Sequence, residues 1–170
     1  ARSMDGYWDH IEGVFAAYGI PVFQSEMSDI LQKPIFTLLT AAMDAVSGGY
    51  RYEDMFRYLK TGLAGVGPDE CDRLENYVLT WDIHGSRWTA ASGWTRHPGG
   101  YHKTFTERDE QELAALEALR QRVIAPLEEL RRTAGETVRS QVLALYRFLE
   151  RIEVPRLLEE RTARLLERGE

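Results

Sequence analysis

Apolar residues in the second half of the chain recur at alternating steps of three and four, and this spacing restricts that half to helices. Thr106 and Asp109 have the spacing of a helix N-terminal capping box, and a helix is predicted from residue 107 to about residue 132. Its apolar stripe consists of Leu113, Leu116, Leu119, Val123, Leu127 and Leu130. A stripe of this kind has to be buried against another element.

A second stripe after Ala134-Gly135 predicts the partner of this helix. It consists of Val138, Val142, Leu145, Leu149 and Ile152. Because a short connection between long amphipathic helices favours antiparallel packing, residues 107 to 152 are predicted to form a helical hairpin. The residues expected to face each other are Leu116, Leu119 and Val123 on one helix and Val142, Leu145 and Leu149 on the other. Val154-Pro155 interrupts the pattern and starts a final helix.

Shorter helices are predicted in the first half, at residues 5–18, from Pro34 to the Gly48-Gly49 pair, at residues 51–60 and at residues 68–82. The extended Pro21-Val22-Phe23 segment allows at most one short strand. The fold class is therefore mainly α. Two parts are expected, a helical subdomain over residues 1–106 and a hairpin with a final helix over residues 107–170, packed as one compact domain cut from a larger protein.

The glycine-rich turn before residue 68 is a candidate phosphate contact. Pro68 suits the first position of a helix, and the backbone N–H groups of Gly65 and Gly67 precede that helix. Helix N-termini with exposed N–H groups bind phosphate. The alternative is a plain connection between two helices. Asp69 and Glu70 favour it because their carboxylates repel an anion at this end of the helix.

Residues 83–106 are the second candidate for contact with nucleic acid. The chain has a net charge of −6, with 6 Lys and Arg against 13 acids through Asp82 and 12 against 14 from Glu107 onward. Between these flanks there is no Asp or Glu, and Arg87, Arg96 and Lys103 give a charge of +3. Because phosphate contacts need clustered Lys and Arg, any DNA contact is expected in this window. Lys60, just before the glycine turn, is a further candidate.

The same window contains Trp88, Trp94 and Tyr101. Aromatic rings beside cations stack on the unpaired bases of single strands, so these rings are candidates for contact with a DNA fork. The alternative is that the tryptophans pack the loop onto the helices while the cations are solvated. Loops of this length inside a compact domain are usually functional or disordered.

Several short segments carry a resemblance to a known family. They are Ile11-Glu12, Phe15, Tyr18-Gly19-Ile20-Pro21, Phe23, Lys60-Thr61-Gly62-Leu63, Leu74-Glu75-Asn76-Tyr77-Val78-Leu79 and Gly85-Ser86-Arg87-Trp88. Together they resemble the B subunit of the AddAB-type ATP-dependent helicase and nuclease, most clearly from Tyr7 to Trp88. By order along the chain, the resemblance implies the 2B-like insertion of the second helicase-like domain.

The resemblance implies double-stranded DNA ends or a fork as the substrate of the whole protein, in double-strand break repair by recombination. It also implies a companion A-type helicase/nuclease subunit, ATP, Mg and an iron–sulfur cluster. The sequence contains no G-x-x-x-x-G-K-[ST] loop, and Cys71 alone cannot supply the four thiolates of a cluster. These cofactors are therefore expected outside this region, and the chain itself is expected to be non-catalytic.

Metal binding and membrane insertion are not predicted. The spacing of His84, His97 and His102 matches no compact zinc pattern. A single cysteine and the lack of a long apolar run favour a cytoplasmic protein. The leading hypothesis is a helical domain that contributes DNA contact or subunit docking; the alternative is a helical protein–protein interaction module with no direct DNA contact. No motif supports an independent small enzyme.

Overall fold

The computed structural model describes residues 7–23, 33–135 and 137–168, which form seven α-helices. They are α1 (Trp8–Ala17), α2 (Pro34–Ser47), α3 (Tyr52–Leu59), α4 (Pro68–Trp81), α5 (Glu107–Thr133), α6 (Val138–Arg151) and α7 (Val154–Arg168). Within these ranges there is no β-strand, and Pro21 to Phe23 are not paired as one. The predicted mainly α class is confirmed, and the predicted helix bounds differ from the observed ones by a few residues.

Helix starts follow the predicted capping chemistry. Pro34 and Pro68 are the first residues of α2 and α4, where a missing N–H group costs no helical hydrogen bond. At α5, the Thr106 N–H donates to Asp109 Oδ2 at 3.0 Å, and the Asp109 N–H donates to Thr106 Oγ1 at 3.4 Å. The hydrogen bonds from Thr106 hold the pKa of the Asp109 carboxyl below its usual value. The predicted capping box is therefore confirmed.

The core lies where α2 packs on α3 and where α5 contacts α2, α4 and α6. On α2 the buried side chains are small apart from Leu38, which lets α3 approach closely. The buried face of α5 contains Leu116, Leu119, Val123, Leu127 and Leu130, as the stripe predicted. Buried side chains from both halves of the chain form one hydrophobic cluster.

The predicted pairing of α5 with α6 is right in partner and wrong in register. The two helices contact each other, and Leu145 and Leu149 are half-buried against the core as predicted. Val142, however, is exposed, and the fully buried side chains of α6 are Ala144 and Phe148. Arg151 Nε lies 3.9 Å from Glu129 Oε2, so α6 ends beside the last part of α5. A hairpin closed tightly at its connection would bring Arg151 near the middle of α5 instead. The Phe148 ring packs 6.1 Å from the Tyr58 ring of α3, a contact that the stripe pattern cannot predict.

Apolar side chains remain exposed on α1 and on the first half of α6. Helix α1 has no buried side chain, and Tyr18 and Phe23 beside it are among the most exposed aromatic residues. Val138 and Val142 are exposed on α6. Among the described helices, none combines the length and the hydropathy that a membrane span requires.

Candidate nucleic-acid interface

Residues 83–106, predicted as a long loop, pack onto α4 and α5. One short 3-10 turn, Gly85–Arg87, interrupts an otherwise irregular backbone. Ile83, Trp88, Trp94 and His97 are buried. The loop is therefore part of the folded core, and its exposed side chains extend from a fixed backbone.

Arg120 of α5 holds the middle of this loop. Its guanidinium donates hydrogen bonds to the backbone oxygens of Trp88 and Ala90, the latter at 3.2 Å. It also pairs with Glu117, one turn earlier, with 2.8 Å between Nε and Oε2. Only 1% of the Arg120 surface is exposed. A buried cation needs such partners because leaving it unpaired costs several kcal/mol.

Glu117 connects Arg120 to a second point of the loop. Its Oε2 accepts the backbone N–H of Trp94 at 3.1 Å. Burial raises the pKa of the Glu117 carboxyl, but hydrogen bonds from Arg120, Gln121 and Trp94 outweigh this and hold the pKa below its usual value. Glu117 is therefore a charged partner on which both the loop and Arg120 depend.

The two tryptophans of the loop are packing residues. Trp88 is 0% exposed and lies edge-on to Trp94, with 5.3 Å between the ring centroids. Trp94 stacks on Tyr77 of α4 at 5.0 Å, and its Nε1 donates to the Arg87 oxygen at 3.0 Å. A base cannot reach the Trp88 ring in this arrangement. For Trp88 the structure favours the packing alternative over base stacking.

Trp81, the last residue of α4, joins the exposed side chains of the loop. The Arg96 guanidinium carbon lies 4.9 Å from the Trp81 ring centroid, and the Tyr101 ring lies 4.3 Å from it. Trp81 Nε1 donates to the His97 oxygen at 3.0 Å, which fixes the indole. Arg96 and Tyr101 are both exposed. A cation and an aromatic ring thus share one indole as their support.

Arg87 has a structural role as well as an exposed charge. Its Nη1 donates to the backbone oxygens of Trp81, at 3.3 Å, and Asp82, at 2.8 Å. These are carbonyls at the C-terminal end of α4, where a cation also interacts favourably with the negative end of the helix dipole. Asp82 ends the helix in a left-handed conformation, with φ of 49°. Arg87 is therefore oriented by α4 through Nη1 alone.

Arg87 and Arg96 line one cleft of about 220 Å³, which we call the Arg87–Arg96 cleft. Its other lining residues are Tyr77, Trp81, Ile83, Ala90, Ser92, Gly93, Trp94 and Thr95. None of these residues carries a carboxylate. The acid beside the cleft is Glu117, which accepts the N–H of the lining residue Trp94 at 3.1 Å and is paired with Arg120. Small-molecule sites usually enclose about 300–1,000 Å³, so this cleft is smaller than most of them.

Lys103 is exposed but does not line the Arg87–Arg96 cleft. Its Nζ lies beside Gly99, 3.0 Å from the position that a Cβ on that glycine would occupy. The structure therefore brings two of the three predicted cations of the window together, and places the third outside their cleft.

Lys60 is neutralised by an acid. Its Nζ donates to Glu75 Oε1 at 2.7 Å and lies 5.9 Å from the Phe56 ring. The hydrogen bond from Lys60, with one from Tyr52, holds the pKa of the Glu75 carboxyl below its usual value, and the same bond raises the pKa of Lys60. A phosphate would have to compete with Glu75, which makes Lys60 a weak candidate.

A side chain of α4 itself caps the glycine turn before this helix. The Gly67 N–H donates to Glu70 Oε2 at 3.0 Å, and the same carboxylate oxygen pairs with Arg122 of α5 at 2.6 Å. Gly65 has a left-handed φ of 70°, which explains the glycine at this position. The Gly67 donor is therefore already used, which favours the alternative of a plain connection between two helices.

His97 and His84, two histidines of the window, have different partners. His97 is buried, and its Nδ1 accepts the Gly99 N–H at 2.9 Å. His84 lies beside Asp82 instead. Throughout the described ranges, no group of three or more His, Cys, Asp or Glu side chains is arranged to hold a metal ion.

Sequence reasoning missed Trp81 and Arg120, the residues that organise the site. Trp81 continues the apolar positions Cys71, Leu74 and Val78 of α4, a stripe that predicts a packing role. Its position as the last stripe residue, next to a cationic window, was the available signal. Arg120 follows the leucines of α5 without any marking feature, because its partners on the loop are backbone oxygens.

No protein-family model matches the chain, but curated proteins do. The B subunit of the ATP-dependent helicase/deoxyribonuclease of Acetivibrio thermocellus is 38% identical over 170 residues, which cover 98% of this chain and 15% of that protein. The protein of the same name from Desulforamulus reducens is 32% identical over 163 residues, 93% of this chain and 14% of that protein. The one from Clostridium perfringens is 33% identical over 158 residues, 88% of this chain and 14% of that protein.

The similarity covers both halves of the chain, so it continues well beyond Trp88, where the short matching segments end. The chain spans only 14% to 15% of the length of these three relatives. With such identities along most of its length, the chain belongs to the family of ATP-dependent helicase/deoxyribonuclease B subunits, in whose members it corresponds to one segment.

Proposed function

We propose that the chain is a non-catalytic helical domain of a DNA-end-processing helicase/exonuclease subunit in double-strand break repair by recombination. Its contribution is a DNA contact at the Arg87–Arg96 cleft. The observation that carries this proposal is the cleft itself, which two arginines line in an otherwise acidic chain and beside which the carboxylate of Glu117 is already paired with Arg120. Local clustering is what phosphate contact requires.

The whole protein is proposed to bind DNA ends together with a companion A-type subunit, and to use ATP, Mg and an iron–sulfur cluster. Residues of this chain do not suit those cofactors. A four-thiolate cluster cannot form from Cys71, the single cysteine, and no phosphate-binding loop is present in the sequence. These groups are therefore assigned to other parts of the whole protein, and this region to an accessory position such as the 2B-like insertion.

Replacing Arg87 and Arg96 together with Ala tests the DNA contact. For the wild type, the plot of log affinity against log salt concentration should have a slope no steeper than about −3, because few phosphates are contacted. The double variant should flatten this slope by up to about two units. Fluorescence anisotropy with a labelled DNA fork, titrated at several salt concentrations, measures both slopes.

A matched control is the Arg139→Ala and Arg147→Ala double variant. It removes the same charge from exposed positions on α6. This control should keep the wild-type slope. An unchanged slope in the cleft variant, or equal flattening in both variants, would refute contact at the cleft.

The purified chain should neither hydrolyse ATP nor cut DNA, because it lacks a phosphate-binding loop and the cluster thiolates. ATP turnover with and without DNA, and degradation of a linear duplex with Mg, measure this directly. DNA-stimulated turnover that persists through repeated purification would contradict the non-catalytic assignment.

The exposed apolar side chains of α1 and α6 favour a second candidate, a protein-interaction module. Tyr18 is 78% exposed and Phe23 90%, although apolar burial usually stabilises such residues. Under this candidate the domain docks on another subunit and has no DNA affinity of its own. Absence of binding even at low salt, with the chain folded, would favour it.

A further inference from the structure

We propose that Tyr101 is a base-stacking platform and that the adjoining Arg87–Arg96 cleft receives the phosphate next to the stacked base. The ligand class is then single-stranded nucleic acid with an unpaired base. This inference rests on the proposed DNA contact and specifies its substrate. Of the three rings named from the sequence, Trp88, Trp94 and Tyr101, it retains Tyr101 alone as the stacking ring.

Tyr101 is the accessible ring on the Trp81 indole. It is 62% exposed, whereas Trp88 and Trp94 are buried. Its ring lies 4.3 Å from the Trp81 ring, and the indole is held by its hydrogen bond to the His97 oxygen. Since the ring already rests on a fixed support, little side-chain entropy remains to be lost when a base stacks on it.

Arg96 is positioned to neutralise the phosphate of the stacked nucleotide. Its guanidinium lies over the same indole, 4.9 Å from the ring centroid. Its backbone is fixed on both sides by Tyr77, whose hydroxyl donates to the Arg96 oxygen at 2.9 Å and accepts the Arg96 N–H at 3.2 Å. Across the described residues, the Arg96 side chain has no carboxylate partner. Its planar set of donors therefore remains free for a phosphate.

Arg87 supplies the second cation of the cleft. Its Nη1 is used by the carbonyls of Trp81 and Asp82, while Nε and Nη2 have no partner among the described residues. The bond to α4 orients the guanidinium without neutralising it. Two arginines at one cleft of about 220 Å³ match a single phosphate better than an extended backbone.

Several features favour a single strand over a duplex. Within a duplex the faces of each base are covered by its neighbours, so a tyrosine ring can stack only on an unpaired or terminal base. The cleft is too small for a base pair. The segments on both sides of residues 83–106 are acidic. Their net charges are −7 through Asp82 (6 Lys and Arg against 13 acids) and −2 from Glu107 (12 Lys and Arg against 14 acids), so they repel a long, highly charged duplex.

Tyr101→Ala and Tyr101→Phe, made in the complete chain, separate stacking from general affinity. The probes are labelled oligothymidine, an abasic oligonucleotide of equal length, and a duplex closed at both ends by non-nucleotide linkers. Oligothymidine should bind more tightly than the closed duplex. Tyr101→Ala should weaken oligothymidine binding about tenfold, whereas Tyr101→Phe, which keeps the ring, should bind close to wild type. Binding of the abasic probe should not change with Tyr101→Ala.

The outcomes distinguish this inference from the proposed function. If Tyr101→Ala binds oligothymidine like wild type while the Arg87 and Arg96 variant flattens the salt slope, the stacking platform is refuted and the DNA contact stands. Equal binding of the closed duplex and oligothymidine would likewise refute the stacking platform and leave the DNA contact standing. If no probe binds at low salt to the folded chain, both are refuted. Thermal unfolding of both Tyr101 variants checks that the fold is retained.

Discussion

Replacing Arg120 with Ala is expected to lower the free energy of unfolding by about 3–5 kcal/mol, the usual cost of removing one partner from a buried ion pair. The guanidinium is 1% exposed and bonds to Glu117 and to the backbone oxygens of Trp88 and Ala90. In the variant, Glu117 loses its charged partner and both oxygens lose a donor. Urea unfolding followed by circular dichroism measures the loss.

Arg122 provides the matched control on the same helix. It is an exposed arginine whose Nη2 pairs with Glu70 Oε2 at 2.6 Å. Because exposed ion pairs contribute at most about 1 kcal/mol, Arg122→Ala should unfold at nearly the wild-type urea concentration. Similar small losses in both variants would show that the Arg120 contacts do not hold the loop.

The helices were predictable because burial imposes the helical period on the sequence. The stripe of α5 was predicted from Leu113 to Leu130; its members from Leu116 onward are buried, and Leu113 is half-buried. The register of α6 was not predictable, since a period defines which face is apolar but not how far one helix is displaced along another. Val142 continues the stripe pattern and yet is exposed, because the packing of Phe148 on Tyr58 sets the position of α6.

Charge was a better guide to the candidate interface than aromatic content. The absence of acids between residues 83 and 106 identified Arg87 and Arg96, which the fold brings to one cleft. Composition alone could not separate the exposed Tyr101 from the buried Trp88, because both are aromatic residues of one irregular loop. Which ring is buried depends on how Arg120 contacts the loop backbone. A contact with backbone oxygens cannot be recognised from the residue types in a sequence.

Replacing Trp88 with Ala is expected to lower the free energy of unfolding by about 3–5 kcal/mol. The indole is 0% exposed and packs against Trp94 at 5.3 Å and Phe56 at 6.4 Å between ring centroids. Its removal leaves a cavity between the loop and α3. If Trp88 were instead an exposed stacking platform, the variant would keep its stability and lose affinity for single strands. Thermal and urea unfolding, measured beside oligothymidine binding, separate these results.

Trp88→Phe makes the test specific to packing. The phenyl ring keeps most of the buried apolar volume. The substitution also removes the indole Nε1–H, which has no hydrogen-bond partner among the described residues. Leaving a buried donor unpaired costs about 1–3 kcal/mol, so its removal offsets part of the lost packing. Trp88→Phe should therefore be much more stable than Trp88→Ala and should bind oligothymidine like wild type. Equal destabilisation by both substitutions would show that a phenyl ring does not replace the packing of the indole at this position.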